Sequence, residues 1–540
     1  MDHKAERDKD VEKILSSTHD RRVVVAGPGT GKSFLFQEAI RKTRTECKDK
    51  FLAITFIGKL GDFLADDLAG LAETKTLHGF ARQFVLSKWK GAEYYPKIGD
   101  IIIDDLTAME TPCSVGDPEY KKRTEYYKAV GDNDVVHYAL EICRKDSSNI
   151  PKYDLILIDE YQDFNEVESA FVDILATKNK ILIVGDDDQA LYEFKGASPR
   201  FIREKYEASN AEYDSHTLRF CSRCTDAVIG AFHNIVTRYK LNATESRRIG
   251  KEYICYEPDK KNDSAANPKI LLSKDTNVNS IPYFIKDQLT EILKGQRIKT
   301  VLVIGEAQSC SPQLFSVAKK LRHLGFKNVD HRKTERRMYT FRQFVVDAYK
   351  LLAKDNTSRL AWRILAELLP EEDRETLIQD DCAGTKELSS SLASDFKTLH
   401  ERNAAVLSKL IGASPSTIKA IAESSIDRLR EQIVDEESNP REMLAYQLVE
   451  ENQILPRPLR SLEITVCNIL GSKGLGADVV FLIGFDQGKL PSQAAAKESE
   501  VYQFLVALTR AKKRIYLVNT INCAVSQFID GIDAEFYQTI

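Results

Sequence analysis

The chain has 540 residues, 43% hydrophobic and 29% charged, with 77 Lys and Arg against 81 Asp and Glu for a net charge of −4. That composition excludes a disordered chain and an overall basic coat for nucleic acid, and leaves room for a local basic groove. At roughly 150 residues per domain, the length predicts three or four domains, or two large ones with insertions.

The first residues, MDHKAERDKDVEK, are charged and lack the apolar core of a signal peptide. Apolar runs such as 479–483 (VVFLI) fall far short of a bilayer span. Ten scattered cysteines read as a reducing compartment. The expectation is a cytoplasmic protein with no membrane partner. Cys221 and Cys224 form one C-x-x-C, and no second pair stands at zinc-ribbon spacing, which argues against a metal site there.

Short β-branched runs recur along the chain at 22–26 (RVVVA), 51–56 (FLAITF), 155–158 (LILI), 181–184 (ILIV), 301–304 (VLVI), 463–466 (EITV), 479–483 and 515–518 (IYLV). Runs this short and apolar on both faces predict buried parallel strands. Amphipathic stretches at 33–44, 59–72, 165–177, 312–324 and 498–512 predict helices between them. Such alternation gives an α/β fold with doubly wound parallel sheets. The runs fall into two groups, 22–184 and 301–518, which predicts two cores. Each is interrupted by a segment lacking the strand pattern: near 90–150, rich in Tyr and Lys, and near 335–455, helical in character. The stretch 257–268 (EPDKKNDSAANP) reads as an exposed loop.

After the first strand comes Ala26-Gly27-Pro28-Gly29-Thr30-Gly31-Lys32-Ser33, then a helix. This is a P-loop: its glycines let backbone N–H groups face a phosphate, and the helix start adds a positive dipole end. Lys32 can reach the β/γ-phosphates, and the Ser33 hydroxyl can ligate Mg²⁺. The third run ends in Asp159-Glu160-Tyr161-Gln162-Asp163. There Asp159 can hold Mg²⁺ opposite the P-loop, and Glu160 can polarise the attacking water. The fourth run ends in Asp186-Asp187-Asp188-Gln189, three mutually repelling acids that make sense beside a cation. Tyr192, Phe194 and Lys195 follow, offering rings for stacking and a charge for phosphate.

Taken together, these motifs resemble the UvrD/Rep-type superfamily 1 DNA helicases. AGPGTGKS is similar to their motif I, Thr55-Phe56 with Lys59 to motif Ia, and Thr76 to Phe80 (TLHGF) to motif Ib. DEYQD at 159–163 resembles motif II, GDDDQALYEFKGA at 185–197 motif III, and Leu218 to Arg223 with Val228-Ile229 motif IV. Ser472 to Leu475 (SKGL) resembles motif V, and Val506 to Lys512 (VALTRAK) motif VI. The resemblance implies two RecA-like cores closing on ATP and Mg²⁺. Core 1A would take 1–90 and 150–205, insertion 1B 91–149, core 2A 206–334 and 456–540, and a short helical 2B 335–455. Lys32, Ser33, Asp159, Glu160 and Gln189 would come from the first core, and Arg223 and Arg510 from the second as arginine fingers. Arg219 rivals Arg223. Gly474 would join Ala26, Gly27, Gly29, Thr30 and Gly31 around the nucleotide. DNA contacts map onto Thr55, Phe56, His78, Tyr192, Phe194 and Lys195. Basic residues in 120–128 and 319–337 either extend that track or are solvated faces.

The resemblance implies an ATP-dependent DNA helicase, DNA-stimulated and 3′→5′, unwinding duplex from single-stranded DNA in repair or anti-phage defence. An alternative is a nucleic-acid-sensing ATPase subunit that regulates a partner nuclease. No nuclease pattern follows the last motif, so any cutting is expected from a separate polypeptide. Residues 1–20 hold no Gln to read adenine, Ser222 stands for the family's stacking Tyr, Gly476 for its ribose-binding Glu, and Leu470 for its His. The expectation is a site that holds triphosphate firmly and reads the base weakly. Phe34 either supplies a substitute stacking face or packs between helix and sheet.

Overall fold

The structure is a computed structural model that describes residues 2–45, 49–56, 64–111, 113–207, 212–241, 248–305, 312–332, 347–348, 350–352, 354–355, 357–367, 371–385, 387–388 and 455–540. Lys59, Lys333, Arg336, Arg337 and residues 391–454 lie outside them. The chain divides into two compact units, Met1–Leu77 with Ser147–Glu335 and Glu450–Ile540, and His78–Asp146 with Arg336–Val449.

In chain order the strands are β1 (Arg21–Ala26), β2 (Phe51–Thr55), β3 (Glu73–Thr76), β4 (Glu93–Tyr94), β5 (Ala129–Val130), β6 (Leu155–Ile158), β7 (Ile181–Gly185), β8 (Asp214–Leu218) and β9 (Phe220–Cys221). They continue with β10 (Ile254–Cys255), β11 (Ile270–Thr276), β12 (Thr300–Gly305), β13 (Asn328–His331), β14 (Glu463–Asn468), β15 (Ala477–Ile483), β16 (Ala511–Thr520) and β17 (Tyr537–Thr539). All eight apolar runs of the sequence are strands. The first unit holds two parallel sheets, ordered β3-β2-β6-β7-β1-β8 and β13-β14-β12-β15-β16-β11-β17. Val23, Val24 and Val25 are buried, as are Leu155 to Ile158, because helices cover both faces of a parallel sheet. Parallel strands all end on one edge, so the segments after β1, β2, β6 and β7 gather there.

The stretch 257–268 departs from expectation: Glu257–Ala266 is a helix. Its proline sits in the first turn, where no N–H is required, and Glu257 and Asp259 favour the positive helix start. Lys260 is buried and donates to the Lys512 carbonyl at 2.7 Å and to Asp263 at 2.6 Å.

The helix Glu166–Leu175 begins with a capping box, in which Asn165 accepts from the Glu168 N–H and Glu168 accepts from the Asn165 N–H. Burial pushes the Glu168 carboxyl up to about 7 from an ordinary 4.5. A raised carboxyl binds a proton more readily folded than unfolded, so its contribution is present below pH 4.5 and is lost as pH rises through 7. Glu168→Gln keeps an acceptor and removes the charge. It should raise stability by on the order of 1–2 kcal/mol at pH 8 and leave it unchanged near pH 4.5, measured by urea unfolding.

The second unit packs helices Ile98–Ala108, Pro118–Tyr127 and Arg359–Ala366 around Ile98, Ile102, Tyr120, Trp362 and Ile364. Its centre carries charge. Fully buried Asp105 accepts from Arg363 Nε at 2.7 Å and from Arg123 Nε at 3.0 Å. Arg363 also reaches Asp104 at 2.6 Å and Glu367 at 2.5 Å. Of the basic residues in 120–128 only Arg123 is buried; Lys121 pairs with Glu141 and Lys122 with Glu119 in partly exposed ion pairs. No helix of the described residues is long and apolar enough to cross a membrane.

Candidate nucleotide and nucleic-acid site

The P-loop joins β1 to the helix Lys32–Thr43. Gly31 is the N-cap, left-handed at φ 91°, and offers no side chain to the first-turn N–H groups. Those donors are available to an anion. Thr30 Oγ1 donates to the Gly27 carbonyl at 2.8 Å and closes the loop. Gly29 is required twice over. Its φ is 74°, and a Cβ there would stand 2.4 Å from Arg223 Cβ. Ala26 is fully buried at the end of β1.

Around this loop the structure brings both sheets together. Lys32 Nζ lies 3.7 Å from Glu160 Oε1, and Lys473 Nζ lies 3.5 Å from Glu160 Oε2. Lys473 also pairs with Asp163 and donates to the Gln189 carbonyl at 3.2 Å. Gln162 donates to Glu160 at 2.6 Å and accepts from the Asp186 N–H at 3.0 Å. Burial alone would raise Glu160, but Lys32 and then Lys473 hold it down at about 2. Burial, then Glu160, push Asp159 up to about 6. A buried carboxyl in that setting favours a cation beside it, so Asp159 and the Ser33 hydroxyl fit a Mg²⁺ site by their chemistry.

Gln189 is the junction to the second sheet. Its Nε2 donates to Thr509 Oγ1 at 3.3 Å, and its Oε1 accepts from Arg510 Nη2 at 3.0 Å. Arg510 also donates to the carbonyls of Val506 at 2.9 Å and Leu475 at 3.2 Å. Burial, then Arg223, lower its guanidinium to about 10, which leaves it charged at neutral pH. Gly474, at φ 78°, turns the chain between Lys473 and Leu475.

Of the two rival arginines, Arg223 packs on the P-loop, whereas Arg219 is tied to Asp10 at 2.9 Å and Glu252 at 3.1 Å. Glycine at 476 has a steric reason, since a Cβ would meet Arg223 Nε at 3.4 Å and Lys512 Cε at 3.3 Å. Ser222 is bound to the P-loop: its N–H and hydroxyl both donate to the Gly29 carbonyl, at 2.9 and 3.1 Å. The C-x-x-C belongs to the same junction. Cys221 donates to the Pro28 carbonyl at 3.1 Å, as does the Tyr253 hydroxyl at 2.8 Å.

The three acids have their cations from protein side chains. Lys251 Nζ stands 2.9, 2.5 and 2.8 Å from Asp186, Asp187 and Asp188. Arg248 holds Asp188 at 2.7 Å and Arg203 holds Asp187 at 3.0 Å. The sequence states the need for a charge there and not its source, because Lys251 lies outside every motif. Lys473 lies within SKGL, and nothing in the chain signals its contact with Glu160 and Asp163.

At the same strand edge, Phe56 packs on Tyr192 at 4.9 Å between ring centres, and Tyr192 on Phe194 at 5.8 Å. Lys195 Nζ stands 5.6 Å from the Tyr192 ring centre. Phe194 is 63% exposed. Thr55 is the exception among the expected DNA contacts: it is fully buried with an unpartnered Oγ1, so it offers a strand no surface. His78 opens the second unit, half-buried on the helix Leu77–Lys88. Phe34 is 43% exposed, so packing between helix and sheet does not describe it. In 319–332, Arg322 donates to the Val329 carbonyl at 2.9 Å and Arg332 pairs with Asp330 at 3.1 Å.

Residues 106–210 match the UvrD/REP helicase N-terminal domain, and residues 272–522 the UvrD-like helicase C-terminal domain. A "Probable DNA helicase II homolog" of Rickettsia conorii is 23% identical, over 94% of this chain and 91% of that protein. A protein of the same name from Rickettsia felis is 23% identical, over 81% of this chain and 71% of its own length. The "Exonuclease/helicase subunit RexA" of Lactococcus lactis subsp. cremoris is 31% identical over a shorter region, 35% of this chain and 17% of that protein.

Proposed function

Since the chain belongs to the UvrD/REP helicase family and is an ATP-dependent DNA helicase, we propose that it moves 3′→5′ on single-stranded DNA and unwinds duplex, driven by DNA-stimulated hydrolysis at the junction of its two parallel sheets. The observation that carries this reading is the bond from Gln189, after β7, to Arg510, before β16, beside the Lys32–Glu160 pair. Groups from two sheets converge on one P-loop, so hydrolysis depends on their closure. Lys32 and the first-turn N–H groups take the phosphates, and Glu160 orients the attacking water. Arg223 and Arg510 meet the charge that builds on the γ-phosphoryl oxygens. Ser33 and Asp159 would hold Mg²⁺, which would supply charge neutralisation on the phosphate oxygens.

DNA would run over Phe194, Tyr192 and Phe56, with Lys195 on its backbone. Removing one stacking ring costs about 1–3 kcal/mol of single-strand affinity. Phe194→Ala should therefore weaken binding of an oligothymidylate by roughly tenfold or more, read by fluorescence anisotropy, and leave nucleotide affinity unchanged. Because Phe194 is exposed, the fold should not suffer.

A strand-displacement assay on tailed duplexes tests the function. Displacement from a 3′ tail and not from a 5′ tail is expected. Hydrolysis stimulated by DNA without displacement would favour a second reading, in which the chain senses DNA for a separate nuclease. Matches to the helicase/nuclease subunits of Lactococcus and Alkaliphilus, over 35% and 17% of the chain, favour that alternative. DNA repair is the setting that the helicase II relatives suggest. With a partner nuclease, anti-phage defence is the other.

A further inference from the structure

Resting on the nucleotide-site reading above, we propose that Arg7, Phe34 and Tyr256 form a nucleobase subsite that selects a 6-oxopurine, so that guanine nucleotides bind more tightly than adenine nucleotides. Arg7 comes from the N-terminal helix His3–Leu15 and reaches the P-loop: its Nη2 lies 3.4 Å from where a Cβ on Gly31 would stand. Its guanidinium carbon stands 5.8 Å from the ring centre of Phe34 and 4.9 Å from that of Tyr256. Phe34 follows Lys32 and Ser33 directly and is the exposed ring beside the phosphate loop.

Two rings thus hold a guanidinium whose N–H donors have no hydrogen-bond or ion-pair partner among the described residues. Its neighbours on the same helix, Glu6 and Asp10, are turned to Arg219 instead. Such donors are available for a ligand at the P-loop.

The chemistry of the donors decides which base. A guanidinium only donates. Guanine presents two adjacent acceptors, O6 and N7, to a planar fork, whereas adenine presents N7 beside an N6 amino group, which is itself a donor. Arg7 therefore pairs with the guanine edge and meets the adenine edge donor to donor. No Asn or Gln in residues 1–20 offers the mixed donor and acceptor that adenine requires. Ser222 is spent on the Gly29 carbonyl. Phe34 stacks on any base and adds affinity without choice.

The test is direct binding of ADP, GDP and IDP to the full chain with Mg²⁺, by displacement of a fluorescent N-methylanthraniloyl nucleotide. IDP keeps O6 and N7 and lacks the 2-amino group. GDP and IDP should bind about tenfold more tightly than ADP, the order of discrimination of one bidentate pair. Arg7→Gln should abolish or invert that ratio. Arg7→Lys, which keeps the charge and loses the fork, should abolish it too. Phe34→Ala should weaken all three alike. ADP binding as tightly as GDP, IDP following ADP, or a preference that survives both Arg7 variants would overturn the assignment. The control separates the two readings. Binding of every nucleotide that is lost in Lys32→Ala, with no base preference in the wild type, sinks the Arg7 reading alone. Binding untouched by Lys32→Ala sinks the phosphate site itself.

Discussion

Arg510→Ala lowers kcat for nucleotide hydrolysis by roughly 10³–10⁵-fold, the range for removal of an arginine finger. Arg510 is 2% exposed, and its guanidinium is anchored by four acceptors, the Gln189 and Thr509 side chains and the carbonyls of Val506 and Leu475. It is held in place in advance, and a fixed charge in a dry site is worth more than one that must be recruited. Nucleotide affinity should change little, because Lys32 and the loop N–H groups carry ground-state binding. Arg510→Lys keeps a charge and cannot make all four bonds, so it should recover only part of the rate. Steady-state hydrolysis at saturating single-stranded DNA, with a thermal melt to confirm folding, reads both. A kcat within threefold of wild type would remove Arg510 from the machinery.

Lys251→Ala destabilises the chain by about 3–5 kcal/mol, the cost of leaving buried charge without its partner. Against a typical total of about 5–15 kcal/mol, that brings the fold close to its limit. Asp186, Asp187 and Asp188 are fully buried and share the Lys251 ammonium. Arg248 and Arg203 remain in the variant and reach only Asp188 and Asp187. The sign of the pH dependence follows. In the wild type, Lys251, then Arg248, outweigh burial and hold Asp188 at about 2, so its stabilisation is present above pH 3.8 and is lost as pH falls through 2. In the variant, Asp186, already raised by burial, loses its main cation and rises further. A carboxyl raised in the folded state contributes stability at low pH and loses it as pH rises. The deficit of Lys251→Ala should therefore shrink at pH 5.5 and be largest at pH 8. Urea unfolding at both values measures it, and an equal deficit at both would contradict the shared-cation account.

What the chain reveals by itself divides along physical lines. Strands buried on both faces, such as β1 and β6, announce themselves as apolar runs, because nothing but apolar residues satisfies two covered faces. Edge strands do not: β3 (ETKT), β13 (NVDH) and β17 (YQT) each flank one neighbour, and their exposure permits polar residues. The helix Glu257–Ala266 reads as a loop because its stability comes from Lys260 bonding to Lys512, more than 250 residues away in sequence. The phosphate-facing half of the site is local in sequence, so Lys32, Ser33, Asp159 and Glu160 are legible. Arg223 and Arg510 are legible through the family motifs, but the other cationic groups are not. Lys473, Lys251 and Arg7 each act on a group far along the chain, and a lone basic residue carries no spacing to betray it.

The most direct test of the shared site is a double-mutant cycle on Gln189 and Arg510, read as kcat with single-stranded DNA. The two side chains bond across the sheets at 3.0 Å. If they act as one unit, Gln189→Ala in the Arg510→Ala background should cost almost nothing more, giving strongly non-additive losses. Losses that simply multiply, each variant reducing kcat by the same factor with or without the other, would mean that the two sheets do not work on one nucleotide.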